Sequence, residues 1–247
     1  MTRNPTVQES ILILGPESRF QSTLRNEVAA LPAQVITASD LEDVVAQTAC
    51  LRQPPSILMI PEAQIDPERI EEKLGELRIR TRAERLVPIA FGRAPSEERR
   101  QALREAGIDL ALFGRFGRHA LRFQINRALS PWARQAPRGE LRAPQEWRTR
   151  TFSSGKKKTV RCYSLSSRGA YFVTPRPWIV GSEVAFELPL RDERRLIDGR
   201  ILYTHESGGG DRRTLPGGMA VAFTSMPRDL KDLIQRGVTA TQVGLQV

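Results

Sequence analysis

The sequence predicts an α/β domain followed by an all-β domain. Three observations carry that reading. Five short apolar runs alternate with helix-length amphipathic stretches over the first 130 residues. A proline-punctuated stretch, Ser130 to Pro137 with Pro144 beyond it, then interrupts the pattern. After it come several short alternating segments separated by turn residues, the pattern of a small barrel.

The first-half strands are expected at Ser10–Gly15, Gln34–Thr37, Ser56–Ile60, Leu86–Phe91 and Leu110–Phe113. Nearly unbroken Ile, Leu and Val within them is what strands buried on both faces require. Three helices are expected between and after them. Ser18–Ala30 carries Phe20, Leu24, Val28 and Leu31 at helical spacing. Ser96–Ala106 opens on an N-cap serine and stops before Gly107. Ala120–Leu129 places Leu121, Ile125 and Leu129 on one face. Alternating strands and helices imply a parallel sheet covered on both sides.

In the second half, strands are expected at Trp147–Phe152, Thr159–Leu165, Ala170–Val173, Glu183–Leu188, Arg195–Tyr203 and Met219–Phe223. A short C-terminal helix is expected over 227–237, with Leu230, Leu233 and Ile234 inward. Lys156-Lys157-Lys158 reads as a solvated hairpin tip, and Gly208-Gly209-Gly210 with Asp211-Arg212-Arg213 as a loop.

Charge is unevenly spread. Of the net +10, residues 1–130 hold 18 Lys and Arg against 17 Asp and Glu, and residues 131–247 hold 20 against 11. The basic half therefore calls for an anionic partner. Cys50 and Cys162 have no metal-ligand or redox spacing, and His119 and His205 have no companion ligands, so neither zinc nor thiol chemistry is expected. No nucleophile–base pair or paired-acid cluster points to an enzyme. No apolar run reaches 18 residues and the first residues hold no apolar signal core, so no transmembrane segment and a cytoplasmic location are expected. With no recognition helix, stacking platform or zinc motif, no specific nucleic-acid partner is expected.

Two motifs stand in register with the second half. Arg138-Gly139-Glu140-Leu141-Arg142 leads into the first β segment, and Ser166-Ser167-Arg168-Gly169 forms a Ser-x-x-Gly turn between two strands. Together with Gly181-Ser182-Glu183-Val184 and Gly-Gly-Met-Ala-Val-Ala-Phe near the end, they resemble the PilZ domain, a six-stranded β-barrel with a short helix. The resemblance covers residues 138–237, after a linker at 131–137. It implies that the barrel binds cyclic-di-GMP through Arg138, Arg142, Ser164, Ser166 and Gly169. Arginine forks suit phosphates, guanine edges and base faces, and a glycine permits a turn that side chains would block. Where the family prefers Asp or Asn, two residues before the serine, this chain has Ser164.

The first half, residues 8–130, resembles the response-regulator receiver domain, a (βα)5 fold, in architecture but not in chemistry. Gly15-Pro16-Glu17 stands where paired acids would bind magnesium. Pro61 stands where the phosphoacceptor aspartate would be, and Gly114 or Arg115 replaces the lysine. Glu17 and Glu62 read as surface glutamates. The resemblance implies a pseudo-receiver used for a protein partner or self-association, through a face near Phe113–Leu129. The function expected is a non-catalytic bacterial signalling effector that responds to cyclic-di-GMP and regulates motility, secretion or exopolysaccharide. The alternative is a ligand-free adaptor in the same pathways.

Overall fold

The structure, a computed structural model, describes residues 9–16, 19–29, 31, 33–49, 51, 53–129, 141–189, 194–206 and 215–247. The chain divides into two compact units, Met1–Pro131 with Gly244–Val247, and Trp132–Val243. Arg138, Glu17, Cys50, the 131–137 linker and the Gly208–Arg213 loop lie outside the described residues.

The first unit is a five-stranded parallel sheet. Its strands are β1 (Glu9–Leu14), β2 (Ala33–Ala38), β3 (Ile57–Pro61), β4 (Val87–Gly92) and β5 (Leu110–Phe113), in the order β2-β1-β3-β4-β5. That is the strand order of the flavodoxin-like doubly wound sheets, and the expected receiver-like architecture. Side chains alternate across the sheet. Leu12, Leu58, Ile60, Ala90 and Ala111 join one buried cluster, while the intervening Ile11, Ile13, Met59 and Ile89 are fully buried outside it. Helices α1 (Arg19–Ala29), α4 (Glu97–Glu105) and α5 (Arg118–Leu129) stand where expected, and Ser96 caps α4 by accepting from Arg99 N at 3.3 Å.

Two further helices fill the intervals between β2 and β4. Helix α2 (Leu41–Thr48) is capped by Asp40, whose carboxylate accepts from Asp43 N at 2.9 Å. Helix α3 (Ile70–Thr81) buries Ile70, Leu74, Leu77 and Thr81 and ends on Arg82 in the left-handed region. Glu62 is not a surface glutamate. Its carboxylate accepts from Arg99 Nε at 2.8 Å and its side chain is 14% exposed, so it pins the end of β3 to α4.

The second unit is a closed antiparallel barrel. Its strands are β6 (Ala143–Pro144), β7 (Arg148–Ser153), β8 (Lys156–Leu165), β9 (Gly169–Val173), β10 (Glu183–Pro189), β11 (Arg194–His205) and β12 (Gly218–Ser225). Six of them form a ring, β8-β7-β10-β11-β12-β9, which the β8–β9 pairing closes; β6 adds two residues beside β8. Phe172 and Phe186, both fully buried with ring centroids 5.0 Å apart, centre the core.

The β7–β8 turn is Ser154-Gly155, both at positive φ (48° and 72°), the two-residue hairpin whose twist suits the strands. The three lysines are therefore not its tip but the start of β8. Lys158 is no free surface charge: its Nζ lies 3.6 Å from the Trp178 ring centroid and donates to Arg176 O at 3.0 Å. The final helix, α6 (Arg228–Gln242), is longer than expected. It buries Leu230, Ile234, Val238 and Gln242, a four-residue stripe that leaves Leu233 outside at 42% exposure.

Candidate ligand-binding site

Ala143 and Pro144 pair antiparallel with Leu165 and Ser164 at the far end of β8. Continuing that register by one residue sets the Arg142 backbone opposite Ser166. Arg142 and the Ser-x-x-Gly turn, 24 residues apart in sequence, thus meet at one end of the barrel. Arg142 is half-buried, and its main-chain oxygen accepts from Gln242 Nε2 on α6. The Arg142 charge reaches the barrel interior: burial pushes the Cys162 thiol well up, and the Arg142 guanidinium opposes that shift.

Ser166 is fully buried and closes its own turn. Its N–H donates to Gly169 O at 2.8 Å. Its hydroxyl accepts from Gly169 N at 3.2 Å and Arg168 N at 3.4 Å, and lies 3.1 Å from Gly169 O. Ser164, only 5% exposed, lies within β8 between Pro144 and Tyr171, and its carbonyl accepts from Cys162 Sγ at 3.5 Å.

Gly169 is required for a different reason from the one expected. Its φ is not positive. Instead, a Cβ there would stand 2.4 Å from Val221 O on β12, so the residue permits close strand approach rather than a special turn conformation.

Sequence reasoning passed over two residues here. Arg168, the residue before Gly169, projects an exposed cation from the turn, while its carbonyl accepts from Phe223 N at 2.8 Å. Its place inside the motif was the available signal. Gln242 had none, since nothing local marks the end of α6 as a support for Arg142. A cavity of about 480 Å³ opens elsewhere on the barrel, beside Ser154, Glu183, Asp198 and Ser225. None of the predicted site residues lines it, and its two carboxylates disfavour an anion. Among the described residues, no group of three or more His, Cys, Asp or Glu is placed to hold a metal, and no helix is long and apolar enough to cross a membrane.

No family model matches the chain, and no curated protein matches it. Solved structures overlap part of it. The PilZ domain of YcgR from Escherichia coli, determined with c-di-GMP, shares 17% identity, with a TM-score of 0.35 over 43% of this chain and 92% of that one. Bacillus subtilis MotI, an inhibitor of motility, shares 11% at a TM-score of 0.37 over 44% of this chain and 52% of that one. Borreliella burgdorferi PlzA, in complex with c-di-GMP, shares 16% at 0.27 over 35% of this chain and 30% of that one. This chain thus spans 52% of MotI and 30% of PlzA. These are partial likenesses, and the functional reading rests on this chain's own residues.

Proposed function

We propose that the barrel is a PilZ-like module that binds cyclic-di-GMP at the β6–β8 end, in a non-catalytic signalling effector. The observation that carries this is the β6–β8 register, which brings Arg142 beside the Ser166–Gly169 turn. Arg142 and the exposed Arg168 flank one polar backbone turn, and Arg138 lies four residues upstream of Arg142. Such forks donate hydrogen bonds to the phosphates and guanine edges of a dianionic dinucleotide. Ser166 and Gly169 support the site by building the turn rather than by touching the ligand, since the serine hydroxyl is already engaged within it. The first unit acts as a pseudo-receiver for protein contact, with motility, secretion or exopolysaccharide as the controlled output.

The burial of both Ser164 and Ser166 supports a second reading, an adaptor of the same build that binds no dinucleotide. Calorimetry of cyclic-di-GMP against the full chain at physiological salt separates the two. A saturable isotherm lost in the Arg138→Ala/Arg142→Ala double variant supports the first. A flat titration of the folded wild type supports the adaptor.

A further inference from the structure

Strand β5 is an outer strand of the parallel sheet. An outer strand presents a row of donors and acceptors to any extended chain. Residues Gly244–Val247 fill that row. Ala111 N donates to Leu245 O at 3.2 Å, Phe113 N to Gly244 O at 2.9 Å, and Val247 N to Asp109 O at 3.4 Å. Leu110 and Gln246 form one antiparallel bridge, so the segment runs against the direction of the parallel sheet there. The two apolar side chains sink inward: Leu245 is 4% exposed and Val247 3%, the latter in the cluster with Leu103, Ile108 and Phe113.

Side chains of α4 and α5 also serve these four residues. Gln124, fully buried on α5, donates through one Nε2 to both Ala111 O and Leu245 O. Arg100 on α4 stands 5.0 Å over the Phe113 ring and donates to Gln246 O at 2.9 Å. Arg104 donates to Val247 O through Nε. A strand of the sheet itself needs only the backbone ladder. Here three donors from two helices reach the carbonyls of Leu245, Gln246 and Val247. That is how a groove recognises an extended peptide added to a sheet edge, with backbone bonds for affinity and alternate side chains for selectivity.

We infer that the β5 edge, walled by α4 and α5, is a peptide-binding groove selective for an apolar–any–apolar segment, and that the chain's own residues 244–247 occupy it in cis. Anything else that docks there displaces them first. As a tethered segment they compete at an effective concentration on the order of millimolar.

The test uses a dye-labelled peptide of residues 240–247, acetylated and amidated, titrated into full-length proteins by fluorescence anisotropy. Leu245→Asp with Val247→Asp would force two carboxylates into apolar sites and expel the segment. This double variant should bind the peptide at least tenfold more tightly than wild type, and adding Gln124→Leu should reverse the gain. Equal weak binding by wild type and a folded double variant would overturn the inference. So would a wild type that dimerises through these residues while the double variant is monomeric, because the occupant would then be a second copy. Hydrogen exchange on wild type gives a result independent of the variants. The amides of Ala111 and Phe113 should exchange through a local opening that spares β3 and β4. Their exchange only together with those strands would make residues 244–247 a fixed part of the fold and sink the idea.

Discussion

The two units treat the ends of their sheets in opposite ways. The barrel pairs β8 with β9 and so abolishes its edges. The parallel sheet keeps β5 at its margin and covers it with four residues from far along the chain. Closure asks for tight backbone approach, and the barrel meets it with glycine. A Cβ on Gly218 would stand 2.1 Å from Phe172 O, and one on Gly199 2.6 Å from Ala222 O. Covering an edge asks for adhesive side chains instead, which Gln124, Arg100 and Arg104 supply. A closed ring cannot lose a strand without losing its core. A covered edge can, which makes it the place to look for exchange.

The sharpest way to break this contrast is Gly218→Ala. The new methyl must push β12 off β9, and overpacking of a backbone contact costs about 3 kcal/mol or more when nothing can yield. Denaturant unfolding should show the barrel destabilised on that scale. A loss under about 1 kcal/mol would mean that the β9–β12 seam relaxes freely and that closure does not depend on glycine there.

The proposed ligand site gives the next effect. Arg142→Ala should weaken cyclic-di-GMP binding by about 1.5–3 kcal/mol, the worth of a charged hydrogen bond, or roughly tenfold and upward. Arg168→Ala tests the neighbouring cation, and calorimetry reads both. An unchanged affinity for Arg142→Ala would remove the arginine from the site.

Lys158→Met probes how the barrel holds the loop after β9. It removes the ammonium from the Trp178 face and from Arg176 O. The expected loss is about 0.5–1 kcal/mol, typical of a cation–π contact at an exposed site. No loss in chemical denaturation would return Lys158 to an ordinary surface residue.

Much of this was legible in the sequence, and the misses have physical causes. Runs such as Ile11-Leu12-Ile13 and Ile57-Leu58-Met59-Ile60 declare buried strands because both faces need apolar side chains. Helix α2 hid because eight residues bury little, with Val44 its one fully buried apolar residue among those described. Helix α3 hid because Gly75 and the 80%-exposed Ile79 blur its stripe. The Arg-x-x-x-Arg and Ser-x-x-Gly motifs were readable as residue types, but the packing contacts of Ser166 and Gly169 were not. Ser166 and Gly169 serve the turn and the seam, which only the packing reveals. Strand β6 and residues 244–247 are two and four residues long where they pair, too short for any periodicity to register.

The smallest effect concerns charge on the barrel wall. Glu187 on β10 joins three strands, accepting from Arg150 Nε on β7 at 2.8 Å and from Arg194 Nη1 on β11 at 3.1 Å. The Arg150 hydrogen bond, helped by Arg194 and opposed by desolvation, holds its carboxyl below the usual glutamate range. A carboxyl whose folded pKa lies below its unfolded one stabilises the fold above the unfolded value and loses that contribution as pH falls through the folded one. The loss should therefore appear below about pH 4.3, the ordinary glutamate value. Glu187→Gln should flatten that part of the stability–pH curve while changing neutral stability little, because the arginine partners stay largely in solvent. Glu27, held low by Arg118 in the first unit, supplies the matched control. If Glu187→Gln and Glu27→Gln flatten the acid limb equally, tying three strands together confers nothing beyond an ordinary surface pair.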